Sequence, residues 1–81
     1  MKNDKKIFQA VLIKRLSKRL NYPLGVNHFA VLMSGWMKKK PDQAPSVATL
    51  RVRKNRDGHV WLKPSEVADL SVYAGYDLST D

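Results

Sequence analysis

Five side chains able to hold a phosphate group, Arg51, Arg53, Lys54, Arg56 and His59, fall within nine residues and are opposed only by Asp57. Guanidinium and ammonium donors at this density make charge-assisted hydrogen bonds to phosphate oxygens, arginine through a planar fork and lysine as a point charge. On an edge ribbon the same charges would also guard against strand-to-strand aggregation. Two further basic groups lie earlier in the chain: Lys14, Arg15, Lys18 and Arg19, and the run Lys38-Lys39-Lys40. Catalytic chemistry has little to work with. His28 and His59 are the only histidines, cysteine is absent, and no carboxylate pair, metal-ligand spacing or phosphate-cradling glycine loop occurs. One catalytic scheme is conceivable, a ribonuclease with His59 as general base and Arg53 or Arg56 stabilising the phosphate. The inventory as a whole predicts a non-catalytic chain without metal or cofactor.

The elements that position these residues come from one domain, because 81 residues cannot supply two cores. Without cysteine no disulfide or thiolate zinc site braces it. Charge is segregated: ten Lys/Arg against one Asp in residues 1–40, five against two acids in 41–64, and four acids with no cation in 65–81, for a net +8. Such an excess concentrates polyanions near the surface. The positive N-terminus is followed by an apolar run too short and too interrupted for a signal peptide or a membrane span, which predicts a cytoplasmic protein and no membrane partner.

Phe8, Leu12, Leu16 and Leu20 recur every four residues, predicting a first amphipathic helix from Asp4 to about Leu20, capped by Asn3 or Asp4. Its four cations project onto one adjoining arc. The segment Asn21-Tyr22-Pro23-Leu24-Gly25 breaks it. A second amphipathic helix follows from Val26 or Asn27 to Lys39, with Phe29, Leu32, Met33 and Trp36 as its stripe and Gly35 marking a close approach by a neighbour. From Val47 the period changes to two, with Ala48, Leu50 and Val52 on one face and Thr49, Arg51 and Arg53 on the other. Together with the turn signal Asn55-Arg56-Asp57-Gly58 and a return strand from His59 to Lys63, this predicts an antiparallel hairpin with a basic tip. Pro64 opens a short C-terminal helix, about Ser65 to Tyr73, which buries Val67, Leu70 and Ala74 and closes at Gly75. Residues 76–81 are expected to be a loosely held tail. Trp61 is read either as the hairpin's anchor in the core or as an exposed partner-binding residue.

The predicted class is therefore α+β. Over about residues 4 to 63 the order of two helices followed by a basic hairpin resembles the latter part of a winged helix-turn-helix, whose hairpin is the wing. It departs from that family by lacking a third helix before the wing. The cation distribution, rather than this resemblance of fold, points to duplex DNA as partner. Arg51, Arg53, Lys54, Arg56 and His59 would contact phosphate or groove, with Lys14, Arg15, Lys18, Lys38, Lys39 and Lys40 as supporting charge. An acidic protein surface, with Trp61 as anchor, and RNA are the alternative partners. A homodimer would suit paired half-sites, although no coiled-coil seam is visible. On this reading Arg53→Ala with Arg56→Ala weakens binding and leaves the thermal midpoint almost unchanged.

Overall fold

The computed structural model describes residues 5–80 and is α+β: four helices and a two-stranded antiparallel sheet. Strand β1 (Ile7–Phe8) leads directly into helix α1 (Gln9–Leu20), followed by α2 (Val26–Lys39), α3 (Val47–Asp57), β2 (Trp61–Leu62) and α4 (Pro64–Ala74). The expected caps Asn3 and Asp4 lie outside the described residues. The first helix starts at Gln9 because residues 7 and 8 are taken up in pairing: Ile7 faces Leu62 and Phe8 faces Trp61, and the Gln9 amide donates to the Val60 carbonyl at 2.9 Å. Phe8, expected on the buried stripe, is consequently 37% exposed, whereas Leu12 and Leu16 are buried as their spacing requires.

The hairpin expected over residues 47–63 is not formed. Its first arm is α3, and its return arm pairs with β1 instead. Two local signals favour the helix. Ser46 is an N-cap whose hydroxyl accepts the Thr49 amide at 3.1 Å, and Gly58 ends the helix at φ +83°, a left-handed cap that glycine adopts without strain. Leu, Arg and Lys are also strong helix formers. The alternation of apolar residues misled because Ala48 and Val52 are exposed. The seam that α3 turns inward is Leu50, Arg53 and Asp57, and the middle member of that seam is charged. A search for apolar period therefore has nothing to find there.

The core joins Leu12 and Leu16 of α1, Phe29, Met33 and Trp36 of α2, Leu62 of β2, and Val67 and Leu70 of α4. Helices α2 and α4 pack closely where Gly35 faces Tyr73; an added Cβ would strike the phenol oxygen, which gives the expected close approach its partner. Trp36 Nε1 donates to Asp69 at 2.5 Å across the same contact. The C-terminal segment is anchored rather than loose. Leu78 is fully buried, its amide donates to Ser71 Oγ at 2.8 Å, and its carbonyl accepts Arg15 Nη1 at 2.9 Å. Arg19 donates to the carbonyls of Asp77 and Thr80 at 3.0 and 2.8 Å. None of the described helices is long and apolar enough to cross a membrane.

Candidate nucleic-acid interface

Helix α3 is held by its inward seam and is otherwise a solvated rod. Arg53, 6% exposed, carries the attachment. Its Nη1 donates to Glu66 Oε1 at 2.8 Å and to the Trp61 carbonyl at 2.9 Å, and its Nη2 donates to Glu66 Oε2 at 3.1 Å. The guanidinium also lies 4.3 Å from the centre of the Trp61 ring. This fork satisfies a charge that burial alone would penalise heavily. Glu66 in turn accepts the Lys63 amide at 2.8 Å, so one carboxylate ties α3 to the first turn of α4.

With that seam fixed, the opposite side of α3 is determined by the helical repeat. At roughly 100° per residue, Ala48, Arg51, Val52 and Asn55 occupy the arc facing away from the core. Val47 and Lys54 lie on one flank, Thr49 and Arg56 on the other, and all eight are exposed. Arg51 and Lys54 have no carboxylate within ion-pair distance among the described residues, and Arg56 approaches only Asp57, at 3.6 Å. A helix of this length spans roughly 16 Å, and cations stand at both ends of it. At its start, Lys38 lines a shallow groove with Pro41, Pro45, Ser46 and Val47. At its end, Arg56 joins Lys5, Lys6 and Lys63 around a cleft of about 580 Å³ floored by Trp61, Pro64 and Ser65.

Asp57 organises that second group. It accepts Trp61 Nε1 at 2.7 Å and Lys6 Nζ at 3.1 Å, and these two hydrogen bonds, Trp61's first, hold its carboxyl below the usual carboxylate value. Lys6 also lies 5.2 Å from the Trp61 ring centre. Trp61 is buried, which decides between its two expected roles in favour of packing.

The expected contact residues therefore separate. Arg51, Lys54 and Arg56 share the exposed surface of α3, and Lys38 borders it. Arg53 is withdrawn from it: it is buried and paired with Glu66, so the expectation that its removal leaves stability untouched loses its premise of an exposed side chain. Arg15 is likewise directed to the C-terminal backbone. Lys14 and Lys18 are exposed on α1 but line neither the groove nor the cleft, Lys39 is exposed, and Lys40 is half-buried. His59 is exposed, meets the Phe8 ring edge-on at 5.8 Å and borders a groove with Lys54. With Arg53 committed to Glu66, the ribonuclease scheme keeps only Arg56 beside His59 in sequence. No cluster of three metal-ligating side chains occurs among the described residues.

Sequence reasoning missed Asn55, read as a turn residue, and Lys5, Lys6 and Lys63, which no periodicity links to the basic cluster. The available signal for the first was the pair of boundaries, a Ser46-x-x-Thr49 cap and Gly58, which bracket one 11-residue helix. Comparison with protein families, with curated proteins and with solved structures finds no match, so the reading of this surface rests on its own geometry.

Proposed function

We propose that this chain is a non-catalytic, cytoplasmic protein that binds duplex DNA by laying the outward face of α3 in the major groove. The observation that carries the reading is a helix fixed to the body along one charged seam while eight exposed positions face solvent, three of them Arg or Lys. A surface helix with no apolar stripe gains little from burial, so a rigid one calls for another use. The B-form major groove, about 12 Å wide, admits a helix and displays base edges to it. On α3 the arc Arg51, Val52 and Asn55 offers the side-chain types suited to guanine, the thymine methyl and adenine respectively. Lys38 borders the start of α3 and the Arg56 cluster its end, positions from which cations would contact phosphates flanking the groove.

This reading keeps the partner class expected from sequence and replaces the wing by a helix. The A-form groove of duplex RNA is too narrow to admit α3, and the acidic-protein reading loses Trp61 as its anchor, because that residue is buried. Fluorescence anisotropy with a random-sequence duplex at several salt concentrations tests the class. About five neutralised phosphates give a slope of log affinity against log salt of roughly −4 to −5, with duplex RNA a poor competitor. Salt-insensitive binding, or none at micromolar protein in low salt, sinks it.

A further inference from the structure

We infer that the cleft formed by Lys5, Lys6, Arg56 and Lys63 is a dedicated phosphate site that grips one backbone phosphodiester and so sets the register of α3 on its duplex. The inference rests on the DNA reading and adds to it a site that does not read bases. Four cations from three separate stretches of chain converge on one concavity, and among the described residues the nearby carboxylates are already engaged, Asp57 by the Trp61 indole and Lys6, and Glu66 by Arg53 and the Lys63 amide. Lys5 and Lys63 have no carboxylate partner among the described residues. The walls are ordered by the packing around them. Trp61 is buried beneath the cleft, and Pro64 starts α4 at its edge with the helix's positive dipole end. Ser65 adds a hydroxyl. An anion with several oxygens suits this donor set, since each cation can take a different oxygen. A volume of about 580 Å³ leaves room for the attached sugars, as a phosphodiester requires.

The position of the cleft gives it its role. Arg56 belongs both to the cleft and to the flank of α3, so a phosphate held there lies next to the end of the groove-facing helix. One fixed phosphate beside a rigid helix determines which base pairs that helix meets, while carrying no sequence information itself.

Two measurements on the full chain separate this site from the DNA reading as a whole. In the first, inorganic phosphate is titrated into the protein and amide shifts are followed by NMR. Saturable shifts at Lys63 and Ser65 are expected, and they should vanish in Lys5→Gln/Lys63→Gln, whose circular dichroism should match the parent because both side chains are exposed. In the second, the same variant is compared with the parent on duplexes of different sequence. Affinity should fall on the order of tenfold for every sequence alike, and the salt slope should shrink by about one. Weak, non-saturating shifts together with an unchanged slope overturn the phosphate site and leave DNA binding by α3 standing. A parent protein that binds no duplex overturns both, even if inorganic phosphate occupies the cleft.

Discussion

Helices α1 and α3 are of similar length and each carries four Lys or Arg residues, yet they use them in opposite ways. In α1 the leucines face the core and the two arginines, Arg15 and Arg19, turn to the carbonyls of the C-terminal segment. Only Lys14 and Lys18 are left to solvent. In α3 one arginine faces inward and Arg51, Lys54 and Arg56 remain outside. Burial of a leucine stripe is non-directional and contributes about 1.5–3 kcal/mol per side chain. A bidentate ion pair is directional, so Arg53 and Glu66 fix the rotation of α3 about its axis as well as its attachment. The comparison teaches that a basic cluster must be divided by what each cation touches before it is counted as a binding surface.

The strongest way to break this comparison is to remove the attachment of α3. Arg53→Ala strands Glu66 in a half-buried site, and the loss should be about 3–5 kcal/mol, which in a domain of this size lowers the thermal midpoint by at least ~12 °C. Arg53→Met with Glu66→Leu should recover much of that loss, because a pair replaced by apolar groups leaves no isolated charge. A midpoint lowered by only a degree or two in Arg53→Ala, measured by circular dichroism, would show that α3 is held by something else.

Next in size is the anchor that consumes the arginines of α1. Leu78→Ala should cost about 2–5 kcal/mol and release Arg15 and Arg19 from the C-terminal backbone, seen as faster exchange of the amide at position 78, which donates to Ser71 Oγ. Exchange and stability like the parent's would mean that burial of Leu78 is not what holds the C-terminal segment in place. Outward residues of α3 should behave in the reverse manner. Arg51→Ala and Asn55→Ala should each leave stability within about 0.5 kcal/mol while weakening duplex binding by about 1–3 kcal/mol and relaxing sequence preference. Equal losses on all sequences would count against base reading by this face.

The smallest expected effect is acid sensitivity at the end of α3. Because hydrogen bonds from Trp61 and Lys6 hold the Asp57 carboxyl below its ordinary 3.8, its contribution is present above that value and disappears as pH falls through the lower folded one. The stability difference between the parent and Asp57→Asn should therefore be full at about pH 6 and shrink towards about pH 3. A difference independent of pH would show that the carboxylate charge is not what Lys6 and Trp61 recognise.

Sequence alone was enough for the elements that hold themselves in place by local pattern. The leucine spacing of α1, the bounds of α2, the proline start and glycine end of α4 and the meaning of Gly35 were all legible, because helical periodicity and capping act over a few residues. So was the α+β class, although the expected hairpin was wrong: the strand at Trp61–Leu62 was read, but its partner lies more than fifty residues away at Ile7–Phe8. For the candidate interface, Arg51, Lys54 and Arg56 were legible as charge, whereas the helix presenting them was hidden by its charged inward residue.

What the chain by itself determined is its net charge, its helix-forming stripes and the stock of cations near residue 51. Tertiary structure alone decided which cations are spent and which are left over. Glu66 claims Arg53, the backbone around Leu78 claims Arg15, and Asp57 gathers Lys6 beside Arg56. The physical reason is that pairing a charge depends on distances of about 3 Å between atoms far apart in sequence, and no local pattern encodes them.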